Sequence, residues 1–289
     1  MRHTWKLLST ALALAACTGD AGDEAVAPES EVVVLSTLAF SSVEDGVTVG
    51  FDLDGSAAGA VGDVGCGQTD MVDPEGGQGI DNALGNFLPV LDLVGGSAVR
   101  DLVQAAVTGG ELLILAERVP DDTCPSGEAV AIKRATGLPL LSASGSILDG
   151  QTFPLMDGAG ASSGCATVDA DGVVEAAVGT VPIALNVFDE FISLQMYNVR
   201  IRLVPGDNGT YTGFFGGGVE TGELQANVAT FDGINDSIHD LVDNALNTFA
   251  DLNGVEACSQ VSGALLFSAV PAWIYDPASD GVGPSTSPP

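Results

Sequence analysis

Basic residues are scarce in this sequence, which has 8 lysines and arginines against 39 aspartates and glutamates and a formal net charge of −31. Nucleic-acid binding needs a basic surface that displaces counterions from the phosphates, so the composition excludes nucleic acid as a partner. Anionic lipid headgroups would repel the chain as well. The excess of carboxylates suits divalent cations or cationic partners, and solubility in salty surroundings is the simpler explanation of the same charge.

Histidine and aromatic residues are also few, with 2 histidines, 2 tryptophans and 6% aromatics. Zinc sites need clustered cysteines and histidines, and no two cysteines are close in this sequence, so we expect no zinc site. The acidic pairs Asp121–Asp122 and Asp189–Glu190 are of the residue type that a glycosidase uses. The sequence does not set the distance between them, and the shortage of aromatic rings argues against a sugar-binding cleft.

The first apolar run is short and lies at the start of the chain. From Leu7 to Ala16 it follows a basic start, and it has about half of the roughly 20 residues that span a bilayer, which is typical of a signal peptide. The run ends in Leu14-Ala15-Ala16-Cys17, which resembles the bacterial lipobox, whose cysteine is acylated and becomes the mature N-terminus. An ordinary signal peptide with a chance cysteine is the alternative.

Acylation would decide where the protein resides. Two or three acyl chains on Cys17 would anchor it stably to a membrane. Thr18 follows, whereas by resemblance an aspartate at this position retains lipoproteins at the inner membrane. We therefore expect an outer-membrane lipoprotein that meets the membrane through its lipid anchor only, with the membrane face left open.

The composition divides the chain into four parts. Residues 18–31 are small and acidic, with too few apolar groups to pack, and the tail from Asp276 is rich in proline, serine and glycine. No linker interrupts the region between them, and 289 residues suffice for one large domain or two small ones. We expect a signal peptide over 1–16, the acylated cysteine and an acidic flexible tether over 17–31, a single β-rich domain over 32–275 and a disordered tail over 276–289.

Glycine is abundant, at 38 residues, about twice its usual share of roughly 7%. Many tight turns between short apolar segments favour the α+β class, rich in β-structure, with an antiparallel β-sheet or sandwich and three to four amphipathic helices. Alternating apolar residues shift by one position after Tyr197-Asn198, which predicts a β-bulge. Gly216–Gly218 is expected to break the following strand. Apolar spacing predicts helices over 80–91, kinked or shortened at Pro89, and over 97–108, 221–231 and 232–254.

Four cysteines remain besides Cys17. An even number of cysteines in an exported chain predicts two disulfides, and four cysteines allow three pairings. We favour the pairing of Cys66 with Cys258 and of Cys124 with Cys165.

An acidic, glycine-rich loop follows the predicted strand that ends at Phe51. Asp52-Leu53-Asp54-Gly55, with Asp63 at the twelfth position, partly resembles the calcium loop of an EF-hand. The loop lacks the glycine at position 6, has aspartate for glutamate at position 12, and follows a strand instead of a helix, so we do not expect a true EF-hand. A calcium site of another geometry is our hypothesis, and solvated turn-forming acids are the alternative. The candidate ligands are Asp52, Asp54, Asp63, Asp70, Asp73 and Asp81.

Gly160-Ala161-Ser162-Ser163-Gly164 matches the Gly-x-Ser-x-Gly pattern of the nucleophile elbow in serine hydrolases. That elbow needs a buried strand before the serine and a helix after it. Asp157-Gly158-Ala159 precedes this segment and Cys165 follows it, so we expect a chance match. The one histidine left after a signal peptide is removed, His239, lies on the polar side of the last predicted helix.

Several segments together carry a resemblance to uncharacterised secreted lipoproteins of myxobacteria and their relatives. They are the lipobox, the acidic tether, the strand end Gly50–Gly55, the segment Pro74–Asn82 and the closing segment Cys258–Ala272. The resemblance implies a location and carries no activity. We expect a non-catalytic binding or structural module, ordered by calcium in our hypothesis, with an unspecified protein or polymer partner. A hydrolase of envelope polymers is the alternative.

Overall fold

The computed structural model describes residues 30–57, 65–95, 98–157, 161–187, 190–230, 236–254 and 257–275. The expected signal peptide, the acylated Cys17, nearly all of the tether, the tail after Tyr275 and the candidate ligand Asp63 lie outside these residues. What the sequence indicates about them stays a prediction.

Eight longer antiparallel strands form the body of the protein, and three shorter strands accompany them within the described residues. The strands are β1 (Glu31–Phe40), β2 (Met71–Val72), β3 (Gln78–Ile80), β4 (Leu113–Pro120), β5 (Glu128–Ala135), β6 (Gln151–Pro154), β7 (Ser162–Val168), β8 (Val174–Val187), β9 (Glu190–Pro205), β10 (Tyr211–Glu220) and β11 (Gln260–Tyr275).

The eight longer strands close into a barrel, so the expected open sheet or sandwich is wrong. Around the wall the order is β1, β4, β5, β7, β8, β9, β10 and β11, and β11 pairs again with β1, from Val33 with Pro271 to Phe40 with Leu265. β6 adds to the C-terminal end of β11 in parallel, and β2 with β3 forms a separate hairpin. Alternating apolar residues bury one face of a strand in either architecture, so this pattern does not distinguish a closed sheet from two stacked sheets.

The described residues contain four helices, each of which overlaps one of the four predicted segments. Helix α1 continues past Pro89 to Gly95, where the sequence predicted a kink or an earlier end. Burial of Phe87 and Leu88 offsets the hydrogen bond that the proline cannot make. The helices are α1 (Ala83–Gly95), α2 (Ala98–Thr108), α3 (Thr221–Val228) and α4 (Asp236–Phe249), and a 3-10 turn spans Asp207–Gly209.

Helix α2 completes the wall where two strands separate. β1 pairs with β4 only from Glu31 to Val34. Beyond this point Gln104 of α2 takes the place of a strand partner, because its Oε1 accepts a hydrogen bond from the Leu38 N–H at 2.8 Å and its amide donates to the Ser36 carbonyl at 3.5 Å. The apolar face of α2 is buried in the barrel core.

The barrel interior is filled with apolar side chains. The space left among Leu35, Ile201, Phe215 and their neighbours is a cavity of about 10 Å³, far below the roughly 300 Å³ of a small-molecule site. These described residues therefore form no small-molecule site, and candidate functional groups are sought on the outside of the barrel.

Strand β10 runs unbroken through Gly216–Gly218, contrary to the expected break. The glycines allow close contact instead of a turn. A Cβ on Gly217 would lie 2.5 Å from the Tyr197 carbonyl, and a Cβ on Gly218 would lie 3.1 Å from Leu252 Cδ1. The predicted bulge after Tyr197 is confirmed, because the pairing of β9 with β10 shifts register there and Asn198 adopts a φ of 53°.

A second layer covers the outside of the wall at β4. The residues Leu113 to Ala116 are buried on both faces of this strand. Phe153 of β6 and Ala272 of β11 belong to the same core, and Leu155 bridges to Ala135 at the end of β5. We infer that β6 and the C-terminal part of β11 supply the cover.

Candidate metal centre

Two segments that are distant in sequence meet beside the start of α1. The Asp81 N–H donates to the Phe51 carbonyl at 2.9 Å, and this contact brings Asp52 and Asp54 next to Asp81. Phe51 itself is buried against β10, where its ring lies 4.6 Å from that of Phe214. The strand end therefore fixes the position of the loop that follows it.

The carboxylates of Asp52, Asp54 and Asp81 converge. Each offers an oxygen that lies within 4.8 Å of an oxygen of the other two. Calcium binds oxygen at about 2.3–2.6 Å, so two of its ligands lie at most about 5 Å apart, and three oxygens within 4.8 Å of one another can share one ion. The sequence predicted all three as candidate ligands.

One oxygen of each carboxylate accepts hydrogen bonds from the backbone of the loop. The Gly55 N–H donates to Asp52 Oδ1 at 2.6 Å, and the Ser56 N–H donates to Asp54 Oδ1 at 2.7 Å. Asp81 Oδ2 accepts from the Leu53 N–H at 2.6 Å and from the Asp54 N–H at 3.3 Å. The backbone of the loop is thus held by its own acids, and each of these hydrogen bonds uses one oxygen of its carboxylate.

Two further carboxylates belong to the same group. The charges of Asp54 and Asp52 raise the pKa of Asp70, so these carboxylates lie close to it. In the same way the charge of Asp251 raises the pKa of Asp81, and the charge of Asp54 raises the pKa of Asp251. We call Asp52, Asp54, Asp70, Asp81 and Asp251 the acidic cluster.

Two oxygens of the acidic cluster are buried without a partner. They are Asp54 Oδ2 and Asp70 Oδ2, and neither has a hydrogen bond within the part of the chain that the structure describes. A buried oxygen of this kind costs free energy unless something pairs with it. Both atoms therefore indicate that the cluster takes a positively charged or hydrogen-donating ligand.

Asp251 joins three elements, and the sequence analysis missed it. Its Oδ1 accepts from the Ser262 N–H at 2.7 Å and its Oδ2 from the Ser262 hydroxyl at 2.5 Å. The same hydroxyl oxygen accepts from the Ala83 N–H at 2.8 Å, at the first turn of α1. In the sequence Asp251 lies in the last turn of the helix predicted over 232–254, whereas α4 ends at Phe249, so the sequence did not mark it as a candidate ligand.

Burial raises the pKa of most of these carboxyls. The pKa of Asp81 rises to about 8 and that of Asp251 to about 7, in each case chiefly through burial and then through neighbouring carboxylates, against the lowering effect of hydrogen bonds. Burial and the charges of Asp54 and Asp52 raise the pKa of Asp70 to about 6. The pKa of Asp54 is raised by burial as well. Without a cation, the cluster resists full ionisation.

Glycine is required where the backbone approaches the acids. Gly65 has a φ of 96°, and a Cβ there would lie 2.8 Å from Asp54 Oδ2 and 3.3 Å from the Asp251 carbonyl. The next residue, Cys66, forms a disulfide with Cys258, just before β11. This disulfide ties the acidic loop to the barrel, and the second one joins Cys124 to Cys165, so the pairing is the one that the sequence analysis favoured.

The other candidate ligands are placed differently. Asp73 lies in the turn between β2 and β3, where its Oδ1 accepts from the Gly77 N–H at 2.7 Å. Asp63 lies outside the described residues. Sequence reasoning found the acids that share one loop, and missed the one that arrives from the far end of the chain.

The cationic side chains of the described residues make no ion pair with these carboxylates, although one of them lies nearby. Arg200 donates to the backbone carbonyl of Asp52 at 3.0 Å, and its guanidinium lies 4.7 Å from the centre of the Phe51 ring. Among the described residues, the ion pairs of arginine and lysine involve Glu31, Glu117, Glu128 and Glu175, and none reaches a carboxylate of the acidic cluster.

The motifs considered for catalysis do not form a site. Ser162 and Ser163 lie in strand β7, which continues to Val168, so the helix that a nucleophile elbow requires is not there. Asp121 caps a surface turn by accepting from the Thr123 N–H at 2.9 Å. Asp189 and the side chain of His239 lie outside what the structure describes.

Comparison of the chain with protein-family models, with curated proteins and with solved structures finds no match. Among the described helices, none is long and apolar enough to cross a membrane.

Proposed function

We propose that the protein is a lipid-anchored, non-catalytic module of the outer membrane in which a calcium ion at the acidic cluster orders the loops on the outside of the barrel. The convergence of Asp52, Asp54 and Asp81, whose ligand oxygens lie within 4.8 Å of one another, carries the calcium part of this proposal. The lipobox at Cys17 supports the anchor, and it does so from the sequence alone.

Calcium fits the chemistry of the cluster. It takes six to eight oxygen ligands and tolerates irregular geometry, whereas magnesium demands a near-ideal octahedron at about 2.0–2.1 Å. A calcium ion would neutralise the repulsion among carboxylates that share one site. It would also give the buried Asp54 Oδ2 and Asp70 Oδ2 a partner.

The arrangement favours a binding module over the alternative, a hydrolase of envelope polymers. Raised pKa values at Asp81 and Asp251 are a property of general acids. Both residues are buried, however, with 3% and 5% of their surfaces exposed, so a polymer would not reach them. The ordered loops then serve as a surface for a protein or polymer partner.

A thermal melt of the mature chain with calcium and with chelator tests the calcium site. A ligand at about 100 times its dissociation constant adds roughly 2.7 kcal/mol to the folded state, which moves the melting temperature by several degrees. We expect this shift with calcium and a smaller one with magnesium.

The variant Asp52→Asn with Asp54→Asn should remove the shift, because the amide oxygens still accept from Gly55 and Ser56 but carry no charge. Glu75→Gln removes the same kind of charge from an exposed position in the β2–β3 turn, so it should keep the shift. A calcium shift that survives in the Asp52/Asp54 variant, or no shift in millimolar calcium, contradicts the site.

A further inference from the structure

One outer layer of the protein exposes large apolar side chains. Leu138 is 80% exposed, Leu140 67% and Trp273 58%. Contiguous exposed apolar surface in a water-soluble domain marks a place of interaction. We call this surface the apolar face, and it comprises Leu138, Leu140, Leu141, Leu148, Trp273 and Tyr275.

Hydrogen bonds place the leucine-bearing loop beside β6, the strand that pairs with the end of β11. The side chain of Gln151 donates to the Leu140 carbonyl at 3.0 Å and to the Leu148 carbonyl at 2.7 Å. In the pairing of β6 with β11, Gln151 lies opposite Ala272 and Thr152 opposite Trp273. The leucine-bearing loop and the aromatic end of β11 are therefore neighbours.

The apolar face is nearly free of charge in a very acidic chain. Between Arg134 and Asp157 the sequence has a single charged residue, Asp149, and β11 has none from Gln260 to Tyr275. The loop instead exposes serines, and the hydroxyls of Ser142 and Ser144 lie 2.8 Å apart. A face of this kind escapes the repulsion that the net charge of −31 imposes near lipid headgroups.

The position of the face relative to the chain start suggests its occupant. Val33 pairs with Pro271, the last pair of the β1–β11 seam, so Glu31 and Trp273 each lie two residues along the chain from this pair. The chain from Cys17 to Glu31 reaches at most about 50 Å when fully extended. An anchor at Cys17 would thus hold the face within reach of the bilayer.

We infer that the apolar face docks on the phospholipid surface to which the chain is anchored, with the leucines in the acyl boundary and Trp273 and Tyr275 at the headgroup level. Tryptophan and tyrosine favour this interface because their rings are apolar and their N–H and O–H groups stay wet. This inference rests on the lipid anchor of the proposed function and is independent of its calcium site. It adds a protein contact to a membrane attachment that the sequence assigned to lipid alone.

Trp273 reports the contact directly. The chain has 2 tryptophans, and Trp5 is removed with the expected signal peptide. The acylated mature chain would be reconstituted on uncharged phosphatidylcholine vesicles, with brominated lipids as the quencher in the bilayer and iodide as the quencher in water. We expect Trp273 emission to shift to the blue, to lose intensity with brominated lipid and to be protected from iodide.

Substitution separates docking from anchoring. Leu138→Ser with Leu140→Ser changes two highly exposed side chains, so the fold should survive while quenching by brominated lipid falls. Leu241→Ser changes an exposed leucine of α4, at 44% exposure, and should leave the quenching as it is.

Three other outcomes distinguish the lipid anchor, docking on lipid and contact between copies. A mature chain that does not sediment with vesicles overturns the anchor, and the inference with it. A chain that sediments while iodide quenches Trp273 as in free solution leaves the anchor standing and overturns docking. Protection of Trp273 that grows with protein concentration and does not need lipid indicates contact between copies, and it overturns docking on lipid as well.

Discussion

Carboxylates are clustered in two regions of this protein, and the side chains that contact them differ between the two. At one end of the barrel Arg118 contacts Glu31 at 3.2 Å and Glu128 at 2.8 Å, and the Tyr211 hydroxyl donates to Glu31 at 2.8 Å. At the acidic cluster the described residues supply no such cation to the carboxylates. In the first region a cation of the chain contacts both glutamates, and in the second the described residues place no cation on the carboxylates.

The protonation behaviour follows the same difference. Burial acts to lower the pKa of Arg118, but its hydrogen bonds to Glu128 and Tyr211 outweigh burial, so the pKa is raised and the charge is held. At Asp81 burial acts with neighbouring carboxylates, and the pKa rises to about 8. Burial disfavours the charged form of both groups; the hydrogen-bond partners of Arg118 outweigh it, whereas the carboxylates around Asp81 add to it.

Removal of either disulfide should cause the largest loss of stability among the changes considered. The Cys66–Cys258 bridge spans 192 residues and the Cys124–Cys165 bridge spans 41, so the chain-entropy model gives losses of about 5 and about 4 kcal/mol. Replacing either pair by alanine should lower the melting temperature. Only loss of Cys66–Cys258 should also reduce the calcium shift, because Gly65 next to Cys66 lies against Asp54. Equal loss of the calcium shift in both variants would show that the bridge does not organise the cluster.

The pH dependence without calcium should be the next largest effect. Asp81, Asp251 and Asp70 have folded pKa values of about 8, 7 and 6 against a usual 3.8. Because the folded state holds these protons more tightly, the stabilising contribution of the three groups is fully present below about pH 4. It is lost as the pH rises through 6 to 8. Melts in chelator should therefore lose several degrees between pH 5 and pH 8.

Calcium should restore that loss, since it binds the ionised carboxylates. The calcium shift is then larger at pH 8 than at pH 5. A melt in chelator that is constant from pH 5 to pH 8 would mean that the acids of the cluster are solvated and mutually independent.

Local patterns in the sequence predicted local structure. The period of 3.6 placed all four helices of the described residues, and the break in the period-two alternation placed the bulge at Asn198. Asp52, Asp54 and Asp81 were predictable because the first two share one loop and the third begins the segment that leads into α1. In each case the signal lies within a few residues of the feature.

Features that depend on distant contacts were not predictable. Closure of the barrel requires Val33 to pair with Pro271, and no local pattern encodes a pairing of that separation. Asp251 joins the acidic cluster only because Ser262 of β11 donates to it, and the same hydroxyl accepts from the Ala83 N–H of α1. Gly216–Gly218 looked like a strand break, because the side chains that approach the glycines come from other elements.

Loss of the guanidinium at Arg118 should have the smallest effect. Arg118→Met keeps the apolar part of the side chain and leaves Glu31 and Glu128 without their partner. These side chains are 23–41% exposed, so water replaces part of the interaction, and we expect a loss of about 1–2 kcal/mol in denaturant unfolding. Lys133→Met breaks one ion pair, with Glu117 at 2.5 Å, and should cost about 1 kcal/mol or less. Neither variant should alter the calcium shift, since neither ion pair includes a carboxylate of the acidic cluster. A changed calcium shift in Arg118→Met would show that the two regions are coupled.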